Sequence, residues 1–138
     1  MTPGNSELCP IHGHVRVSLR NGVIASSTTW TVGVGAPECP WRLVARPGER
    51  IRLFLTDFSV EEPNIPVSSN ENCRTYGYIK ETVGNIKGHK EHLSSTICGT
   101  RERESHVYSS ESNQIDIILV DSSLQRPFFL IHYEGTSV

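Results

Sequence analysis

The sequence predicts an all-β fold, a sandwich or a barrel. β-branched and aromatic residues recur in short runs separated by Gly, Pro, Asn and Ser, the pattern of many short strands with turns between them. Within the clearest runs the apolar residues alternate: Ile51, Leu53 and Leu55 share one parity, as do Ile115, Ile117 and Leu119, with Gln114 and Asp116 on the other. Alternate residues of a strand point to opposite faces, so both sets are expected to face the core. Four cysteines, Cys9, Cys39, Cys73 and Cys98, are an even number and read as a disulfide framework made in an oxidising compartment.

The strand expectations, in order, are Val15–Leu19, Thr29–Val34, Trp41–Arg46, Arg50–Phe58, Tyr76–Thr82, Ser105–Ser109, Ile115–Val120 and Phe128–Tyr133. Arg46-Pro47-Gly48-Glu49 is a turn in which Pro presets φ and Gly supplies a positive φ. It is expected to join Trp41–Ala45 to Arg50–Leu55 as a hairpin. Ile118 and Val120 break the alternation of their strand, which predicts cover on both sides over its second half. Glu61–Asn72, with its prolines, serines and asparagines, and Val83–Glu91, with its glycines and lysines, show no period and read as loops.

A chain of 138 residues suggests one domain. Its 36% hydrophobic content is a modest supply for a core, and the 3.6-residue spacing of a helical bundle is missing. A net charge of −2 argues against a general nucleic-acid binder or a binder of anionic membranes, since both need a basic face. No apolar run approaches the roughly 18 residues of a transmembrane helix. The first six residues lack the apolar stretch of a secretory signal. With the cysteines pointing outside the cell, the chain reads as a domain cut from a larger protein with an added Met1. Residues 1–8 are expected to be linker, 9–134 the domain and 135–138 a tail.

Along this frame the residues resemble a CUB domain, from about Cys9 to Tyr133. Cys39-Pro40-Trp41 stands at the second-cysteine region of that family, and Arg46-Pro47-Gly48-Glu49-Arg50-Ile51 at its Pro-Gly turn. Phe58-Ser59-Val60-Glu61 stands where Phe-Asp-Leu-Glu is usual, and Cys73-Arg74-Thr75-Tyr76-Gly77-Tyr78-Ile79 at the third cysteine. Ile97-Cys98-Gly99 resembles Phe-Cys-Gly; Tyr108–Asn113 precedes Ile115–Val120, and Asp121 takes the Ser-Asp position. The resemblance implies a two-sheet antiparallel β-sandwich of CUB, jelly-roll type, stapled by two disulfides, Cys9–Cys39 and Cys73–Cys98. In the chain-entropy model loops of these lengths contribute about 3–4 kcal/mol each, as an upper estimate.

Many members of that family bind calcium at one end of the sandwich. The resemblance carries two of the ligands to Glu61 and Asp121. The carboxylate expected just after the third cysteine is absent, because Arg74, Thr75, Tyr76 and Gly77 supply none. Calcium takes six to eight oxygens, and carboxylates supply most of the binding charge. Glu62, Glu71 or Asn72 could compensate, but calcium binding is disfavoured and no cofactor is expected to be required.

Other constellations carry less. His12 and His14 follow Cys9, and His89 and His92 lie close together, yet no second Cys-x-x-Cys element completes a zinc tetrahedron. The chain has no Gly-x-Ser-x-Gly, no His-Glu-x-x-His and no glycine-rich phosphate loop, so no enzyme is expected. Arg101-Glu102-Arg103-Glu104 reads as a solvated charge run. Trp30, Trp41, Phe54, Phe58, Tyr108, Phe128, Phe129 and Tyr133 read mostly as core. Trp30, in the polar setting Ser26-Ser27-Thr28-Thr29, would become a binding anchor if exposed.

The resemblance therefore implies an extracellular recognition module of a secreted or membrane-anchored protein, as in co-receptors, receptor-clustering factors and CUB-bearing proteases. Its expected partner is an extracellular or cell-surface protein, with no nucleic acid and no membrane insertion by this domain. Alternatives are a free-standing secreted protein binding glycans or glycoproteins, and a calcium-dependent ligand-binding module.

Overall fold

The computed structural model describes residues 14–16, 21–58, 74–84, 88–99, 103–120 and 128–137. Two sheets pack face to face. The first, sheet A, runs β1 (His14–Arg16), β3 (Trp41–Val44), β8 (Gln114–Leu119), β5 (Arg74–Gly84) and β6 (Lys90–Gly99), in that spatial order. The second, sheet B, runs β2 (Gly22–Ala25), β9 (Phe129–Ser137), β4 (Glu49–Asp57) and β7 (Glu104–Ser109). All pairings are antiparallel except β1 with β3, which is parallel.

The core forms where the inward parities meet. Sheet A contributes Leu43, Tyr76, Ile79, Ile97, Ile115, Ile117 and Leu119; sheet B contributes Ile24, Ile51, Leu53, Leu55, Phe129 and Ile131, all buried. The two alternating sets read from the sequence therefore both face inward. Cover on both sides of β8 is not what the structure shows. Ile118 is only partly buried and Val120 is exposed, because no further layer packs on the outer face of sheet A among the described residues.

Thr29–Val34 is not a strand. Ser26–Val32 is a seven-residue helix, α1. Threonine and valine favour strands locally, but tertiary context overrides a weak preference. Helical spacing lets Ser26 and Thr29 bury while Trp30 meets Phe129 edge-on at 6.1 Å. Gly33 ends the turn at φ 83°, its N–H donating to the Thr29 carbonyl.

The Pro-Gly turn is present, with Gly48 at φ 88° and the Glu49 N–H donating to Arg46 O at 2.9 Å. It does not close a hairpin. β3 belongs to sheet A and β4 to sheet B, so the turn is an arch across the sandwich. The end of β3 is drawn toward β8, where Ala45 N–H donates to Asn113 O and Asn113 Nδ2 donates to Ala45 O. β4 instead exchanges bonds with Ser110, through Ser110 N–H to Ile51 O and Ile51 N–H to Ser110 Oγ.

Two strands were not legible. β2 is short, and β6 begins Lys-Glu-His-Leu-Ser-Ser, a polar run that reads as loop. β6 is a strand because β5 supplies a ten-pair antiparallel partner, with a bulge between Thr75 and Gly77. β9 runs to Ser137, paired with Glu49, so the strand reaches into the segment expected as a tail. The expected strand Val15–Leu19 is described only as His14–Arg16, and the loop Glu61–Asn72 lies outside the described residues.

Gly77 shows how tightly β5 sits on β8. A Cβ there would lie 2.3 Å from the Ile118 carbonyl oxygen, a backbone atom that cannot swing aside. Gly77→Ala is expected to lower unfolding stability by about 1–3 kcal/mol, read as a lower urea midpoint with unchanged slope.

Candidate functional site

Two carboxylates are buried in the sandwich, Asp57 of β4 and Glu81 of β5. A buried carboxylate persists only if hydrogen bonds replace its water. Each receives a phenol from the opposite sheet. Tyr76 Oη donates to Asp57 Oδ2 at 2.6 Å, and Tyr108 Oη donates to Glu81 Oε1 at 2.6 Å. Glu81 Oε2 also accepts the Glu111 and Ser112 N–H groups and the Ser112 hydroxyl, which fastens the turn between β7 and β8.

Tyr76 lies in the segment Arg74–Gly77, just after the third cysteine, where the resemblance expects a calcium carboxylate and the chain supplies none. Its ring stacks on Phe129 at 4.4 Å and 4°. Gly99 of β6 makes room for it, since a Cβ there would meet the Tyr76 ring at 2.3 Å. The side chain therefore serves the core and Asp57. Glu61 and Asp121, the two calcium candidates, lie outside the described residues, as do Cys9 and Cys73. Among the described residues no three His, Cys, Asp or Glu side chains gather into a metal-binding group. Cys39 is buried at the end of a tight turn, with its N–H donating to Ala36 O and its carbonyl accepting from Gly35 N–H. Neither Cys39 nor Cys98 is a free thiol.

The histidines take different places. His89 and His92 are exposed on the β5–β6 hairpin, and His92 Nδ1 lies 3.1 Å from Thr82 Oγ1. His12 lies outside the described residues, and only the backbone of His14 is described. Within the charge run, Arg103 and Glu104 are exposed, and Glu104 opens β7.

Three aromatics expected in the core are not there. Phe58 and Phe128 are 43% and 47% exposed and lean on each other at 5.4 Å, where β4 ends and β9 begins. Phe54 has the opposite parity to Leu53 and Leu55, so it stands on the outer face of sheet B. Trp30, by contrast, is packed against the core.

That outer face holds a groove of about 620 Å³. Strand register places Val23, His132, Phe54 and His106 side by side across all four strands. Phe54 and His106 meet edge-on at 5.4 Å, and Val23 is half exposed. Arg52 lies over the Phe54 ring and pairs with Glu134, closing one side of the groove with charge. Glu104 and Thr56 line it as well. Sequence reasoning missed this site, although the off-parity positions of Phe54 and His132 in otherwise alternating strands mark it.

A family model described as CUB domain matches residues 15–133. The chain belongs to the CUB domain family. The sandwich and the buried position of Cys39 are thus features of a CUB domain. CUB domains are typically extracellular, mediate protein interactions and are generally non-catalytic. In this CUB domain no helix of the described residues is long and apolar enough to cross a membrane.

The two phenol–carboxylate bonds make distinct predictions. Tyr76→Phe is expected to cost about 1.5–3 kcal/mol, because it removes a buried hydrogen bond to a charged acceptor; chemical denaturation reads it. Burial first, then the hydrogen bond to Glu81 and the charges of Glu81 and Glu111, hold the Tyr108 phenol well above its ordinary 10.0. The folded state keeps this proton after the unfolded chain has lost it. The stabilisation is therefore complete below pH 10 and drains away as pH rises toward the folded-state value. Urea unfolding from pH 8 to 11 should show that loss in the native domain, and a shallower one in Tyr108→Phe.

Proposed function

We propose that this CUB domain is an extracellular recognition module of a larger secreted or membrane-anchored protein, binding another extracellular or cell-surface protein through the outer face of sheet B. The observation that carries the reading is the groove centred on Phe54. Protein interfaces centre on aromatic and arginine anchors with a polar rim. Here Phe54 and Val23 supply apolar surface, Arg52 covers the ring, and Glu134, Glu104 and the two histidines form the rim. A site of this make-up suits co-receptor, receptor-clustering or protease-associated roles, in which any catalytic domain lies elsewhere. Neither nucleic acid nor membrane insertion belongs to the proposal.

The module is proposed to work without a cofactor. Support comes from the segment Arg74–Gly77, which supplies no carboxylate where the resemblance expects a calcium ligand, and whose Tyr76 is engaged by Asp57 and Phe129. The Cys9–Cys39 and Cys73–Cys98 pairing is proposed on family resemblance. Non-reducing peptide mapping is expected to return those two linked peptides; a Cys39–Cys73 peptide would overturn the pairing.

The functional test is capture of extracellular proteins on the immobilised, oxidised domain, in calcium and then in EDTA, read by mass spectrometry. A specific partner is expected in both conditions. It should be lost from Phe54→Ala and kept by Phe58→Ser/Phe128→Ser. The reverse pattern would move the site to the end of the sandwich, and loss in EDTA alone would return Glu61 and Asp121 as ligands.

A further inference from the structure

The outer face of sheet A differs in chemistry from that of sheet B. It carries a polar cleft of about 410 Å³ on β3, β8, β5 and β6, lined by Arg42, Lys80, Lys90, Thr82, Gln114 and Asp116. Register sets Arg42 and Lys80 on either side of Asp116 in one row. Arg42 grips Asp116 with two bonds, Nε to Oδ1 at 2.9 Å and Nη2 to Oδ2 at 3.2 Å. Lys80 and Lys90 are exposed and have the same parity across the hairpin, since Gly84 pairs with Lys90 and Lys80 with Ser94. His92, also exposed, lies between them on β6, beside Thr82. Three permanent cations thus face one carboxylate in a chain whose overall charge is −2.

The spacing of the cations decides what they suit. Arg42 and Lys80 are separated by two strand spacings, about 10 Å, and Lys90 lies four residues along β6 from the partner of Lys80, about 13–14 Å. A single small anion needs donors converging within about 3 Å. Cations this far apart instead match repeated charges on an extended polymer. No aromatic side chain lines the cleft: Tyr78, exposed on the same face, stands outside it, and apart from Gly84 and the buried Ile115 the other lining groups are hydroxyls and amides, including Ser112 and Asn113. A protein partner would want an apolar anchor there, whereas a hydrated, hydroxyl-rich polyanion does not. We infer that the outer face of sheet A binds a sulfated glycan chain, with Lys80 and Lys90 as the principal contacts and Arg42 held in place by Asp116. This site is separate from the Phe54 groove and does not rest on it.

The test is titration of the oxidised domain with a size-defined heparin oligosaccharide at physiological salt, with its desulfated counterpart and a polyglutamate peptide as comparison probes. Saturable binding of heparin is expected, with little binding of either comparison probe. Lys80→Gln/Lys90→Gln should weaken heparin binding roughly tenfold and flatten its salt dependence. Arg50→Gln/Arg103→Gln, which removes two exposed charges outside the cleft, should leave it unchanged. Absence of heparin binding would overturn the inference. So would equal losses in both double variants, which would mean diffuse attraction, or equal binding of polyglutamate, which would assign the face to an acidic peptide. The Phe54→Ala variant should bind heparin normally.

Discussion

The sandwich depends on how its two sheets are held across a thin core. Leucine and isoleucine burial supplies the attraction, but it is non-directional and would tolerate sliding. Direction comes from two phenol–carboxylate bonds that cross from sheet to sheet, Tyr76 to Asp57 and Tyr108 to Glu81. Both involve β5, which also pairs with β8 and β6. A buried carboxylate without its donors would be far more costly than an apolar residue, so each bond penalises every other alignment of the sheets.

With the inward faces committed in this way, the outward faces are free to differ. Sheet B presents an aromatic groove whose rim carries opposite charges. Sheet A presents a row of cations with polar neighbours and no aromatic anchor in its cleft. A small domain gains two unlike surfaces from one alternation, because each strand hands its second set of residues to solvent. The aromatic pair Phe58–Phe128 adds a second apolar point, at the end of the sandwich.

Tyr76 shows how the segment after the third cysteine serves the core. Its ring fills the space left by Gly99 and stacks on Phe129. Its hydroxyl satisfies Asp57, a carboxylate from the other sheet. From sequence the lack of a carboxylate in Arg74–Gly77 was visible, but the task of the tyrosine was not, since Asp57 lies nineteen residues away on another strand.

The sequence by itself determined the all-β class, the family, the inward sets on β4 and β8, and the Pro-Gly turn. All of these rest on period two, on turn chemistry or on ordered motifs, which are local in the chain. Tertiary structure decided the rest. It made Ser26–Val32 a helix, because Trp30 found Phe129. It turned a local hairpin into an arch between sheets, because Asn113 and Ser110 drew the two strands apart. It made a polar run into β6 by giving it β5 as a partner. It placed Phe54 outside and built both outer-face sites, because each gathers side chains from four strands far apart in sequence, and no local pattern records which strands will be neighbours.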